Sequence, residues 1–247
     1  MVVFLGERKP AHIIAHKGEI APRVIAVGDP GRARALASNL LENSRLVNEY
    51  RGYLVFTGLY KGFPITIATH GIGGPSAAIV FEELNMMGAR YIVRLGSTGA
   101  MIDSIDIGDV IIADSAAYPL GGGIGMYIGN DTAYPASPDI ELTYMIYKNL
   151  SNKMGRIWIG TVYSSDAFYA ESGDFVSRWS SKRILSVEME CATLFVISKL
   201  RGIRSACVLV ASDNLVKGVS VLSSLEVLKE RFVEVARIIA DALIEVK

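Results

Sequence analysis

The sequence predicts one α/β domain: a central mixed, mostly parallel sheet flanked by helices. Three observations predict it. Short runs rich in Val and Ile recur along the chain, several without the polar alternation of a half-exposed sheet. Segments of helical period separate those runs, the alternation that builds a sheet wrapped by helices. No linker, repeat or long charge run divides the 247 residues, so residues 1–247 form a single domain.

The elements follow in order. Residues 24–27 (VIAV) are a strand ending in Gly28-Asp29-Pro30, and residues 31–42 (GRARALASNLLE) carry a helix after that turn. Residues 53–60 (YLVFTGLY) and 65–70 (ITIATH) are strands. Residues 75–88 (PSAAIVFEELNMMG) open on Pro and close on Gly, the usual helix asymmetry. Residues 91–95 (YIVRL) are a strand that stops at a turn of small residues, Gly96-Ser97-Thr98-Gly99. Further strands lie at 109–116, 157–165, 184–189 and 205–212. Helices lie at 137–153, opening on Ser-Pro-Asp, at 190–202, closing on Gly, and at 221–246, a long amphipathic tail. The glycine-rich stretch 118–135 is a long loop, a length that often marks function. Its glycines do not lead from a strand into a helix with GxGxxG spacing, so a dinucleotide site is not indicated.

Composition narrows the function classes. Hydrophobic residues make up 51 % of the chain, and 25 Lys and Arg balance 25 Asp and Glu. That balance gives no reason to expect nucleic acid or a membrane surface as a partner, so any anion site is local. The two cysteines, Cys191 and Cys207, lie in apolar runs; they fit a reducing cytoplasm and exclude a Cys-based zinc site. The first ten residues are too short an apolar run for a signal peptide, and no stretch is long enough to span a bilayer, so a cytoplasmic protein is expected. His12, His16 and His70 do not have metal-ligand spacing with acids, and no metal is expected.

In α/β proteins the loops at the carboxyl ends of parallel strands hold ligands. Gly28 and Gly31 flank such an end, and Arg32 starts the helix behind it, where backbone N–H groups favour an anion. Arg94 closes an apolar strand beside Ser97 and Thr98, and its fork of donors matches phosphate oxygens. A buried salt bridge to a carboxylate explains Arg94 equally well. Glu188 and Glu190 share one face if the strand continues, among the apolar neighbours Val187, Met189, Cys191 and Ala192; exposed glutamates at a sheet edge are the plain alternative. Asp213, directly after an apolar strand, is either a turn residue or a general acid.

Eight stretches then carry a resemblance: AHIIAHKGEIA, VGDPGRAR, RGYLVFTG, THGIGGPS, RLGSTGA, SSDAFYA, VEMECA and SDN occur in this order, covering nearly the whole chain. Together they resemble the nucleoside phosphorylase-I family, and most of all its hexameric purine nucleoside and archaeal 5′-methylthioadenosine phosphorylases. The resemblance implies phosphate binding by Gly28, Arg32, Arg94 and Ser97, with Arg51 reaching the same phosphate from a neighbouring subunit. It implies that a neighbour's His12 faces the ribose 5′ position, that Glu188, Met189 and Glu190 hold the ribose, that Phe168 lines the base pocket, and that Asp213 protonates or hydrogen-bonds purine N7. Phosphate is then a co-substrate, no cofactor is needed, and the assembly is a homo-oligomer, a hexamer built as a trimer of dimers. In the bacterial purine enzymes of this family an arginine beyond the acid assists it; here that stretch holds Glu226 and no arginine, leaving Lys217, Lys229 or Arg231 as substitutes. Uridine phosphorylases place Gln and Arg where this chain has Ser172 and Asp174, and the chain contains no glutamine, which favours purines. Ile72 and the loop near Met126 suit an apolar 5′ substituent, hence a dual enzyme for purine ribonucleosides and 5′-methylthioadenosine. A uridine phosphorylase and a methylthioadenosine/S-adenosylhomocysteine nucleosidase, which uses water, are the alternatives.

Overall fold

The computed structural model describes residues 9–16, 18–221 and 226–246. Its first strand, β1 (Arg23–Val27), sits between β4 (Phe63–Thr69) and β5 (Tyr91–Ala100), parallel to both. The antiparallel strands β3 (Val55–Tyr60) and β2 (Glu42–Asn48) extend the sheet beyond β4. On its other side β5 pairs in parallel with β9 (Arg204–Asn214) and, near its end, antiparallel with β8 (Ser186–Glu188). β6 (Val110–Ala117) and β7 (Ile157–Ser164) complete a closed circuit running β9, β6, β7, β8, β5 and back to β9. A two-residue strand, β10 (Val219–Ser220), pairs with the end of β9. The sheet is mixed as expected, with parallel pairings at its centre and around the strands that carry the charged residues.

Helices cover both faces. Alternate side chains of β1, β5 and β9 point to opposite sides: Ile25, Val93, Leu95 and Val208 join the core under α1 (Pro30–Leu40), α4 (Ile140–Lys153) and α7 (Lys229–Glu245). Val24, Ile92 and Leu209 join the core under α2 (Gly74–Met86) and α6 (Cys191–Arg201), where Phe81 and Phe195 are fully buried. Each such ring contributes about 1.5–3 kcal/mol by leaving water. Period two puts Arg94 on the side of Ile92, facing the start of α6.

Six elements differ from the sequence expectation. The helix expected to reach residue 42 stops at Leu40, and β2 follows; its polar sequence, ENSRLVN, is mostly exposed and carries no strand pattern. The loop 118–135 contains a short helix, α3 (Gly122–Ile128), and α5 (Phe175–Ser180) forms where no helix was expected. The tail helix begins at Lys229, and residues 222–225 of the expected span lie outside the described residues. Most consequential is β5: Gly96-Ser97-Thr98-Gly99 is not a turn but strand, paired in parallel with β9 to its end with one register shift between Thr98 and Gly99. Arg94 therefore lies mid-strand and Asp213 within β9, rather than beyond strand ends. Among the described residues no helix is long and apolar enough to cross a membrane.

Candidate active site

A cavity of about 890 Å³ opens where β1, β5, β8 and β9 converge. Of the predicted residues, Gly28, Arg32, Arg94, Ser97 and Phe168 line it, as do Glu188, Met189, Glu190 and Asp213. His12 and Arg51 do not.

Arg94 is 4 % exposed, and its Nη2 bonds Glu190 directly and lies 3.3 Å from Glu188 Oε2. The two glutamates do not share a strand face as expected. β8 ends at Glu188, and Glu190 is the N-cap of α6. Glu188 is consumed by local bonds: it accepts from Ser164 Oγ and from the backbone N–H groups of Glu190 and Cys191, both at 2.8 Å. Glu190 accepts from Gly73 N at 2.6 Å and from Arg94, and it lines the cavity. Burial opposes the charges of Arg94 and Glu190, but each outweighs it for the other, so Arg94 rises above and Glu190 falls below its usual range. The salt bridge foreseen as an alternative for Arg94 is present, and the same side chain still lines the cavity. Gly96, two residues along on the same face, makes this possible: a Cβ there would overlap the Arg94 guanidinium.

Arg32 is different. Its guanidinium stacks on Phe232 of α7, 3.7 Å from the ring centroid, and forms no ion pair among the described residues. Burial, with Arg94 nearby, pushes its pKa down to about 10 although Asp29 and Glu190 act against this. Asp29 itself caps α1, accepting from Gly31 N and Arg32 N. A half-buried cation lining a cavity and paired with no carboxylate suits an anion there. His70 lies beside this cluster, fully buried, with no hydrogen-bond partner on either ring nitrogen; burial holds its pKa down to about 4, so it is neutral.

Asp213 is 9 % exposed. Ser212 Oγ donates to its Oδ1 at 2.6 Å, and its Oδ2 packs on Gly99, where an added Cβ would stand 2.5 Å away. Burial pushes its carboxyl upward more than Ser212 lowers it, which favours the acid form. None of the three candidate helpers pairs with it: Lys217 binds Asp106, Lys229 binds Glu226, and Arg231 binds Gly108 O and Glu234.

The two residues outside the cavity have their own settings. His12 Nδ1–H donates to Glu83 of α2, 2.8 Å away, and the same carboxylate accepts from Ala11 N, His12 N and Ile13 N. Glu83 thus pins the N-terminal segment. Arg51 is exposed in a 3₁₀ turn, Tyr50–Gly52, with φ +56°. Ile72 lines the cavity, but Met126, on the outer face of α3 and 91 % exposed, does not. Sequence reasoning missed Gly96, Gly99, Ser164, Glu83 and the cavity residue Glu171. The spacing R-x-G and the glycine opposite Asp213 were readable only as small residues. No cluster of metal-ligating side chains occurs among the described residues.

Comparison with known proteins identifies the family to which the chain is similar. The phosphorylase superfamily profile matches residues 22–246. A guanosine phosphorylase of Halorubrum lacusprofundi is 34 % identical over 210 residues, 85 % of this chain and 86 % of that one. A DeoD-type purine nucleoside phosphorylase of an Exiguobacterium species is 33 % identical, covering 95 % of this chain and 98 % of its own. A crystal structure of uridine phosphorylase from Vibrio fischeri superposes with a TM-score of 0.81 at 34 % identity, covering 95 % of both chains.

Proposed function

The chain belongs to the phosphorylase superfamily and is a nucleoside phosphorylase, a pentosyltransferase, and from that premise we propose that it acts on purine ribonucleosides, releasing the free base and ribose 1-phosphate. The observation that carries the phosphate half is Arg32, a half-buried cation on the cavity wall with no ion pair among the described residues. Water, the nucleophile of a nucleosidase, needs no such receptor.

The chemistry then divides among the residues. Arg32 and Arg94 seat phosphate, with Gly28 and Ser97 beside them, and hold one oxygen near the anomeric carbon, so attack becomes a positioned step. Glu190, already fixed by Gly73 and Arg94, takes the ribose hydroxyls on its remaining lone pairs, and Met189 packs beside it. As the C1′–N9 bond breaks, electrons flow into the base; Asp213 in its acid form gives N7 a proton or a strong hydrogen bond. Phe168 covers the base. Uracil has no N7 for Asp213 to meet, so this arrangement favours purine. His12 and Arg51, remote from the cavity of their own chain, complete the site of a neighbour in a homo-oligomer, a hexamer on this reading. A 5′-methylthio substrate is a second reading that rests on Ile72 alone, since Met126 stands outside the cavity.

Two assays test this. Base release from inosine, guanosine and uridine is measured with and without phosphate; strict phosphate dependence with the purines ahead is expected, and release in its absence would favour the hydrolase. Gly99→Ala should displace Asp213 by the width of a methyl group and cut purine turnover by about 10²-fold, with little change in Tm. Unaltered turnover in that variant would show that the Asp213 carboxylate does not need its observed place.

A further inference from the structure

α2 carries two adjacent glutamates in unlike settings. Glu82 bonds Arg201 twice, at 2.8 Å each. Glu83, 6 % exposed, has no Lys or Arg partner among the described residues. A buried carboxylate without a cation must find its donors elsewhere. Among the described residues, all of them come from residues 11–13. Oε1 accepts from Ala11 N at 3.0 Å and from the His12 ring at 2.8 Å. Oε2 accepts from His12 N at 2.9 Å and from Ile13 N at 2.6 Å. Burial would raise this carboxyl, but those bonds together hold it below its usual range, so it is ionised and can only accept.

The backbone bonds alone anchor the segment; the remaining bond acts on the ring. Because the carboxylate only accepts, the His12 proton sits on Nδ1, and in the neutral imidazole Nε2 keeps a lone pair. Nε2 has no hydrogen bond among the described residues. Tyr53 steadies the ring edge-on, with centroids 6.4 Å apart and planes at 88°. Tyr53 is held in turn: its hydroxyl lies 2.9 Å from Ser76 Oγ, which donates to His70 O at 2.7 Å. Ring orientation and tautomer are thus set from within the chain, while the second nitrogen stays unbonded.

We propose that Glu83 is a positioning residue for the 5′ end of the nucleoside: by keeping the His12 proton on Nδ1, it makes Nε2 an acceptor for the 5′-hydroxyl of a substrate in the neighbouring subunit. This deepens the purine phosphorylase reading and rests on it, including the delivery of His12 to a neighbour's site. The partner on one ring nitrogen decides what the other nitrogen does. Without the carboxylate both tautomers are populated. Glu83→Gln is the sharpest change. Its amide oxygen still accepts from backbone N–H groups, so the segment keeps an anchor. Its NH₂ group only donates, which drives the ring proton to Nε2 and removes the acceptor.

The test compares kcat/KM for inosine, 5′-deoxyinosine and 5′-amino-5′-deoxyinosine at saturating phosphate, in the wild type, Glu83→Gln, His12→Ala and the double variant. The 5′-ammonium group only donates at neutral pH, so it reports whether Nε2 accepts. The wild type should favour the 5′-amino over the 5′-deoxy compound. In Glu83→Gln that preference should fall by about 10- to 100-fold, and inosine, whose hydroxyl can also accept, should fall less. In the His12→Ala background Glu83→Gln should change the preference no further, since it acts through the ring. The imidazole nitrogen-15 shifts of the wild type, which need no Glu83 variant, should place the His12 proton on Nδ1. A proton on Nε2, or a uniform loss on all three substrates in Glu83→Gln, makes Glu83 an anchor only and overturns the proposal. A wild type without the 5′-amino preference overturns it as well. Phosphate-dependent cleavage of inosine would leave the phosphorylase reading standing in each case. A wild type that releases no base from inosine with phosphate overturns both.

Discussion

Asp213→Asn is expected to lower kcat on purine nucleosides by about 10²- to 10⁴-fold, the usual worth of a general acid, while leaving the protein as stable as before or more so at neutral pH. Asparagine keeps an oxygen for the Ser212 hydroxyl, so the local bond survives. What it removes is a buried charge with no cation beside it. The sign follows from burial, which raises the carboxyl in the folded state. The unfolded chain releases this proton near the ordinary carboxylate value of about 3.9. The stability that the protonated carboxyl contributes is complete below that value and is lost as pH rises through the raised folded value. The asparagine variant lacks this loss. Melting curves of the two proteins should thus converge near pH 3 to 4 and separate above it, with the variant higher. Unchanged turnover would reduce Asp213 to a strand residue; a variant less stable at pH 8 than the wild type would contradict the assignment of its charge as uncompensated.

Arg94→Met is expected to act on stability and turnover together. Arg94, Glu188 and Glu190 are each 5 % exposed or less. Removing the one cation leaves two buried carboxylates without it, a change that costs about 3–5 kcal/mol. For a chain of this length that is a fall in Tm of about 10 °C. Phosphate-dependent turnover should drop with it, because the same guanidinium lines the cavity where phosphate is proposed to bind. Adding Glu190→Gln separates the two effects. The double variant should regain part of the lost Tm and none of the lost activity. If it regains activity, Arg94 serves only to neutralise Glu190. If Arg94→Met alone leaves Tm within a degree, the ion cluster is not the buried network described.

Arg94 also shows how far residues alone carry the reading. A permanent cation in an apolar strand demanded either an anionic ligand or a buried carboxylate partner, and nothing in the linear pattern chose. The structure shows that the two are not exclusive, because β8 and the N-terminus of α6 bring Glu188 and Glu190 to the strand from about 95 residues away. Small residues after Arg94 look like a turn by composition. They are strand because β9 pairs with them, and they are small because Arg94 and Asp213 fold back over Gly96 and Gly99. The edge strand β2 escaped notice for a related reason: a solvated edge needs no apolar alternation.

By itself the sequence determined the α/β class, the single domain, and the identity of the charged residues at the convergent strands. Those follow from local hydrophobic period and from the cost of burying charge, which residue order records directly. The tertiary structure alone decided which charges meet: Arg94 is paired with Glu190, Arg32 has no ion pair and Asp213 no basic partner among the described residues, and Glu171 lines the cavity while Met126 stays outside. Such outcomes depend on distances between segments far apart in the chain, and electrostatic interaction is set by separation and burial, neither of which a linear pattern contains.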